Sequence, residues 1–220
     1  TWNTLAPEWT TNAIPEVGAL TYIDADDQGD DYYDIWGDGT FLYAACGAGG
    51  LRSYSVDGSG NLAYIDADIN GGDSYYSVWG DGTFIYTGTS SGIKSYSVDG
   101  GGNLTWIAAA ALGNVLGVWG DGTWVYGTCG SSGFKSFSVD GGGNLTVEYS
   151  LFAITGYTRV WGYGSFVYVA AGAYGFWTHS ADAFGDLTFV DSDDQGDVYN
   201  DIFGNGTFAF AACGADGVRS

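Results

Sequence analysis

Apolar and polar residues of this chain alternate in short runs that are separated by glycine-rich turns, and the runs recur in a fixed order. Residues 36–43 read WGDGTFLY, in which Asp-Gly separates two apolar runs, a pattern that predicts two strands joined by a tight hairpin. Two further runs follow, at residues 51–56 and 62–65, with a Gly/Asn turn between them. Each repeat therefore predicts four short antiparallel strands and no helix.

The first run of the repeat returns four times. The copies start at Trp36, Trp79, Trp119, Trp161 and Phe203. A spacing of 40 to 43 residues is typical of a four-stranded propeller blade. We therefore predict an all-β, five-bladed β-propeller over residues 16–220, preceded by an N-terminal arm at residues 1–15. Packing such sheets in a ring buries both faces of each sheet.

The two ends of the chain predict how the ring closes. Residues 202–220 supply two strands and the start of a third, while residues 17–24 match the fourth strand of a blade. A fifth blade shared between the ends follows from this match. The last blade lacks the equivalent of residues 54–57, which leaves an edge. Either the N-terminal arm covers this edge within the molecule, or the edge pairs with another chain.

The composition of the chain disfavours some classes of binding partner. The formal net charge of −21 arises from 26 acidic residues against five Lys and Arg, so nucleic acid and anionic membrane surfaces are disfavoured as partners. No apolar run approaches the length that spans a bilayer, so we expect no membrane insertion. An acidic chain rich in Asn, Gly and Thr favours an extracellular or surface location.

Some of these repeat motifs resemble known families. The run from Leu51 to Leu62, preceded by GDGTFLY, resembles the blades of LVIVD and YncE/lactonase-like propellers. The WGDGT phrase also resembles the repeats of uncharacterised environmental and phage-associated propellers. These resemblances imply the propeller fold, and the lactonase-like relatives imply a hydrolase. Because propellers host binding, structural and enzymatic roles alike, they do not determine the activity.

Candidate catalytic residues are scarce. The one histidine, His179, holds the register position of Tyr54, Tyr96 and Phe137, which predicts a packed aromatic substitute. No Ser-His-Asp or Cys-His arrangement emerges around it, so we predict no catalytic residue and do not favour an enzyme.

The cysteines occupy equivalent positions in alternate blades. They are Cys46, Cys129 and Cys213. Equivalent points of different blades lie farther apart than the roughly 7 Å Cα separation that a disulfide allows, so we expect free cysteines in the core.

Four of the five cations share one place, the second position of the third strand. They are Arg52, Lys94, Lys135 and Arg219. Counting back from Val56 opposite Leu62 places Arg52 opposite Asp66, and the same count places Arg219 opposite Asp24, which predicts cross-strand charge pairs. The alternative is a set of cation-and-aromatic pockets for an anionic or sugar ligand.

The segments that join successive blades differ in character, and three of them are acidic. Two contain an Asp-x-Asp-Asp-Gln-Gly-Asp sequence that resembles the start of a calcium loop. The candidate Ca²⁺ ligands are Asp24, Asp26, Asp27, Asp30, Asp191, Asp193, Asp194 and Asp197. Clustered carboxylates suit Ca²⁺, although the closing bidentate Glu is missing. The alternative is that these aspartates form solvated turns.

The other two junctions are apolar, as is the N-terminal arm. We expect these segments either to enter the core or to form an exposed interface. The candidate interface residues are Trp2, Leu5, Trp9, Leu112, Val115, Leu151, Phe152 and Ile154.

Three functions remain. The unpaired last blade, the apolar arm and the two-sided junction face favour a non-enzymatic extracellular module that self-associates or binds a protein, such as a subunit of a fibre, filament or surface layer. A glycan-binding, lectin-like propeller is the first alternative, and a lactonase-like hydrolase is the second.

Overall fold

The computed structural model describes residues 21–152 and 156–220 and shows five antiparallel sheets arranged as the blades of a β-propeller. Blade one contains β1 (Asp34–Gly37), β2 (Phe41–Ala45), β3 (Leu51–Val56) and β4 (Leu62–Asp68). Blade two contains β5 (Tyr75–Gly80), β6 (Phe84–Thr89), β7 (Gly92–Val98) and β8 (Leu104–Ala111). Each sheet is a meander in which consecutive strands are neighbours.

The remaining blades repeat this order. Blade three contains β9 (Gly117–Gly120), β10 (Val125–Thr128), β11 (Phe134–Val139) and β12 (Leu145–Leu151). Blade four contains β13 (Arg159–Tyr163), β14 (Phe166–Ala170), β15 (Phe176–Ala181) and β16 (Leu187–Asp193). Blade five contains β17 (Tyr199–Gly204), β18 (Ala209–Cys213) and β19 (Gly217–Arg219). The predicted five-bladed, all-β architecture is confirmed, and no helix of the described segments is long and apolar enough to cross a membrane.

The Asp-Gly hairpins form as predicted, but by a different mechanism. Gly39 has φ +90°, whereas no residue other than glycine has a positive φ in the described chain, so the Asp-Gly turns do not have both central residues left-handed. Instead, Oδ1 of Asp38 accepts the backbone N–H groups of Thr40 and Phe41 at 2.7 Å each. The aspartate therefore shapes the turn with its side chain.

A β-bulge corrects the predicted register of the cations. Val56 pairs with Leu62 as predicted, but the register shifts between Ser53 and Tyr54, which places Arg52 opposite Ala67 rather than Asp66. Equivalent shifts occur between the third and fourth strands of blades two, three and four. The prediction of a cross-strand charge pair between Arg52 and Asp66 is therefore wrong.

Adjacent blades are joined by a contact between tryptophan and glycine. The indole of Trp36 lies against Gly80 of blade two so closely that a Cβ there would be 2.6 Å from Cζ3. Trp79, Trp119 and Trp161 cover Gly120, Gly162 and Gly204 in the same way. These contacts, with the apolar clusters around them, place the core between blades.

The predicted closure of the fifth blade is not seen in the described residues. Blade five has three strands, and residues 21–25 join no sheet. Residues 17–20 and the N-terminal arm, with Trp2, Leu5 and Trp9, lie outside the described residues. The predicted core cysteines are confirmed, since all three thiols are buried and none forms a disulfide in the described structure.

Candidate functional site

The surfaces at the two ends of the blade series differ from their equivalents inside it. Ile35 of blade one is 61% exposed, whereas its four equivalents are 4 to 8% exposed because the preceding blade covers them. Those equivalents are Val78, Val118, Val160 and Ile202. Gly37, two residues after Ile35 on the same strand, is exposed, and a Cβ there would meet no aromatic ring of the described residues. We call Ile35, Gly37 and Leu42 the leading face.

Blade five shows the opposite side uncovered. Phe203, which holds the place of the covering tryptophans, is 64% exposed, and Phe208 beside it is also exposed. Val218 is 76% exposed, while Leu51 and Ile93 at the same position of blades one and two are fully buried. We call Phe203, Phe208 and Val218 the trailing face.

The first described residues lie on blade one as a fourth strand would. A Cβ on Gly60 would be 3.0 Å from Cδ1 of Ile23, and the corresponding glycine of blade two meets Ile65 of blade one. Asp24 accepts the N–H of Leu62 at 2.9 Å. Asp66, which belongs to β4, makes the same bond at 2.9 Å to the first residue of β8. Residues 23 and 24 thus take the place of a preceding blade's last strand.

The cations of blades one and two are buried beside the segments that lead into their own blades. Arg52 forms an ion pair with Asp30 and donates to the Tyr32 hydroxyl at 3.2 Å. In blade two, Lys94 Nζ is 2.8 Å from Asp73 and 3.0 Å from the Tyr75 hydroxyl. Burial disfavours the charge on Lys94, but its bonds to Asp73 and Tyr75 leave its pKa above the usual value. These cations are therefore neutralised by their own blade.

The other two predicted ligand cations have different surroundings. Lys135 is buried and donates to Ser150 Oγ at 2.7 Å, with Nζ 4.6 Å from the centre of the Phe152 ring. Arg219 lies 6.0 Å from the ring centre of Tyr199 and is not opposite Asp24 in any described sheet. The four cations lie in separate blades rather than in one pocket.

The acidic junctions form turns. Asp27 Oδ1 accepts the N–H of Gly29 and Asp194 Oδ1 accepts that of Gly196, both at 2.8 Å. Asp26 and Asp193 each accept a bond at 2.6 Å from the glutamine two residues on. No group of three carboxylate, thiolate or imidazole side chains in residues 21–152 and 156–220 is placed to hold a metal. The calcium site stays a prediction from sequence.

The apolar junctions enter the core for the most part. Val115 is fully buried between blades two and three, and Leu112 is half-buried against the same cluster. Leu151 is half-buried against the cluster between blades three and four. Phe152 is 68% exposed, and Ile154 lies outside the described residues. The structure therefore places Val115 in the core rather than on an interface.

His179 is fully buried, and neither ring nitrogen has a hydrogen-bond partner among the described residues. Its ring packs 5.5 Å from Phe134 and 6.2 Å from Trp177, centre to centre. Loss of solvation lowers its pKa to about 4. The histidine occupies the position of a packed aromatic residue and does not reach the surface.

A cavity of about 760 Å³ lies on the propeller axis, on the side formed by the Trp-Gly-Asp-Gly turns. Its lining includes Trp36, Trp79, Trp119, Asp38, Asp81, Asp121 and Tyr163. The three aspartates each accept a tyrosine hydroxyl of their own blade, and burial together with this carboxylate raises the pKa of each tyrosine. None of these residues was among the candidate site residues predicted from the sequence.

Sequence analysis also missed a group of charges on the innermost strands. Asp34, Arg159 and Asp201 stand two residues before the aromatic of their repeats, so their shared position was a usable signal. Burial raises the pKa of Asp34 despite a bond from the N–H of Val78 and the charge of Arg159. Arg159 itself donates to the Leu116 carbonyl.

No family model and no curated protein matches the chain. A protein from Lactobacillus plantarum is 16% identical with a TM-score of 0.68, over 79% of this chain and 60% of its own. A functionally unknown protein from Desulfotomaculum acetoxidans is 15% identical with a TM-score of 0.67, over 84% of this chain and 66% of its own. The computationally designed Ika8 protein is 7% identical with a TM-score of 0.58, over 85% and 69%.

At these identities the likeness supports the β-propeller fold alone. This chain spans 60% and 66% of the length of the first two structures. The resemblance to LVIVD and YncE/lactonase-like propellers therefore stays a prediction beyond the shared fold.

Proposed function

We propose that this chain is a non-enzymatic structural module of an extracellular assembly, in which the leading face of one copy packs on the trailing face of the next. The contrast between the exposed end faces and their buried equivalents carries the proposal. Ile35 is 61% exposed where the four inner equivalents are at most 8% exposed. Contiguous apolar surface of this kind is typical of a protein contact.

A second copy is the occupant that these faces fit. At the contact between blades four and five, Trp161 covers Gly204. The trailing face offers the ring of Phe203 at the position that corresponds to Trp161 in its own blade. The leading face offers Gly37, whose missing Cβ leaves room for such a ring. Because the two faces differ, the contact is heterologous and propagates from copy to copy, unlike a two-fold dimer.

The strand content of the ends supports the same contact. β19 is an edge strand of a three-stranded sheet, and exposed edges favour strand addition. Residues 23 and 24 pack against blade one at the place where the fourth strand of a preceding blade would lie. In the proposed contact, this segment of one copy would approach β19 of another.

Analytical ultracentrifugation of the full chain and of two charged variants tests the proposal. We expect the wild type to form a concentration-dependent series of oligomers, and Ile35→Asp and Phe203→Asp each to be monomeric. An equimolar mixture of the two variants should form a dimer and stop there, because one supplies the intact trailing face and the other the intact leading face. Screening of the net charge of −21 by salt should strengthen the wild-type series.

Phe184→Asp is the matched control, since Phe184 is 76% exposed but lies in a turn of blade four. We expect it to assemble like the wild type. A wild type that stays monomeric at millimolar concentration would overturn the proposal. Variants that assemble singly, or a mixture that stays monomeric, would overturn the head-to-tail arrangement.

The axial cavity favours a second candidate, a glycan-binding propeller. Half-buried indole rings beside carboxylates offer an apolar face and hydrogen-bond acceptors, which is the combination a sugar ring requires. Titration with neutral oligosaccharides, followed by tryptophan fluorescence, tests this candidate. We expect Tyr163→Ala at the cavity rim to weaken binding about tenfold and Tyr174→Ala, which is outside the lining, to leave it unchanged.

A further inference from the structure

Lys135 differs from the cations of blades one and two in what balances its charge. Lys135 is only 5% exposed, and among the described residues its one hydrogen bond is the 2.7 Å donation from Nζ to Ser150 Oγ. No carboxylate of residues 21–152 or 156–220 lies within ion-pair distance of its Nζ. A buried ammonium without a counter-ion is costly, so an anion at this place would be stabilised.

Blade two shows what fills the corresponding place when the chain supplies the anion itself. Asp73 lies 2.8 Å from Lys94 Nζ and accepts bonds from Ser91 Oγ at 2.7 Å and Ser90 Oγ at 3.2 Å. Burial opposes its ionisation, but the bonds from Lys94 and Ser91 lower its pKa below the usual value. An ammonium and two hydroxyl groups thus hold one carboxylate.

In its sequence, blade three keeps the lysine and the two serines of this arrangement and lacks the aspartate. Lys135 follows Ser131, Ser132 and Gly133 just as Lys94 follows Ser90, Ser91 and Gly92, apart from one intervening residue in each. Asp73 stands six residues before Trp79, and glycine, Gly113, stands six before Trp119. A Cβ on Gly113 would meet no atom within 4 Å, so the space beside it is open.

We propose that the Lys135 site of blade three binds the carboxylate of an external ligand, in the role that Asp73 has in blade two. The exposed Phe152 ring, 4.6 Å from Lys135 Nζ, supplies an apolar wall next to the charge. A carboxylate joined to a compact body fits this pair of surfaces. An acidic sugar and an acidic peptide side chain share that chemistry, and the site is independent of the proposed assembly contact.

Backbone amide shifts of Ser150 and Phe152 in NMR titrations test the proposal. The probes are glucuronate and N-acetyl-aspartate amide, with glucose and N-acetyl-asparagine amide as neutral counterparts. We expect at least one acid to bind saturably and its neutral counterpart to bind at least tenfold more weakly, since a charge-assisted bond contributes roughly 1.5 to 3 kcal/mol. The acid that binds more tightly identifies the source of the carboxylate.

Lys135→Gln should weaken acid binding at least tenfold, whereas the matched Lys94→Gln change should leave it within twofold. Asp73→Gly should add a second saturable site with shifts in blade two, because it removes the internal anion from Lys94. This gain keeps the test decisive even if Lys135→Gln fails to fold. Non-saturable shifts with both acids, or equal binding by wild type and Lys135→Gln, or no second site in Asp73→Gly, would overturn the proposal.

Discussion

Blades two and four have the same strand arrangement but differ in the hydrogen bonds that their buried polar groups form. In both, a first-strand tryptophan stacks on a tyrosine of the second strand, with ring centres 5.8 Å apart in blade two and 5.5 Å in blade four. In blade two, the Tyr75 hydroxyl contacts the Tyr96 hydroxyl at 2.9 Å and accepts a bond from Lys94. In blade four, Trp177 and His179 stand in place of Lys94 and Tyr96.

The difference shows which parts of the repeat determine the fold. The tryptophan-glycine contact is kept in both blades, although the polar network beside it is replaced. His179 has no hydrogen bond at either nitrogen, yet the sheet around it keeps the register of blade two, including the bulge. The close fit of tryptophan on glycine between blades therefore determines the fold of the blade, and the polar network changes the stability of that blade.

The largest expected effect comes from adding a methyl group at that contact. Gly120→Ala, under Trp79, and Gly204→Ala, under Trp161, should each lower the free energy of unfolding by roughly 3 kcal/mol, because the new Cβ overlaps the indole. Urea denaturation measures the change. Gly37→Ala is the control, since its Cβ would meet only Phe41 O at 3.3 Å and Leu42 at 3.7 Å. A small loss at either buried glycine would show that the contact does not determine the fold.

The sequence predicted these blades well because the signal is local and repeated. An aromatic residue followed by Gly-x-Gly returns every 40 to 43 residues and specifies strand, turn and strand each time. The bulge at Ser53 could not be predicted, because the shift also involves a tertiary bond in which Ser53 Oγ donates to the Gly102 carbonyl of the next blade at 2.7 Å. Because of that shift, Arg52 does not lie opposite Asp66, and it forms its ion pair with Asp30.

The candidate site was harder to predict than the fold. Ile35 and Val78 occupy equivalent positions in equivalent patterns, and only the presence or absence of a neighbouring blade separates 61% exposure from 4%. The charge balance of Lys135 also depends on a junction that is remote in sequence. Exposure and charge balance are properties of the assembled blades, so a strand pattern does not contain them.

The buried histidine gives the next largest effect. Its pKa is lowered to about 4 in the folded chain from an ordinary value of 6.5 by loss of solvation. The unfolded chain therefore binds the proton more readily between these values. The contribution of the neutral imidazole to the free energy of unfolding is therefore fully present above pH 6.5. It is lost as the pH falls towards and below 4, by roughly 3 kcal/mol in total. His179→Phe should remove this contribution, which the difference between the unfolding free energies of variant and wild type across pH 4–7 measures.

Tyr96→Phe in blade two is the opposing control. It deletes the hydroxyl that contacts Tyr75 and should cost about 1 kcal/mol at every pH in this range. If His179→Phe destabilises the chain at pH 5 as Tyr96→Phe does, the buried imidazole has a partner and the contrast between the blades is wrong.

The smallest expected effect concerns the turn at the axial cavity. Tyr86 donates to Asp81 Oδ2 at 2.7 Å, whereas blade four has Tyr163 in place of that aspartate and Tyr168 as the equivalent of Tyr86. Tyr86→Phe should cost about 1 kcal/mol because it leaves an acceptor of Asp81 without its donor, and Tyr168→Phe should cost less than half of that.

Blade five already carries the paired change, with Asn205 and Phe210 at these positions. Adding Asp81→Asn to Tyr86→Phe should therefore recover part of the loss, and a double-mutant cycle in urea with no coupling between the two would show that the bond does not contribute to the turn.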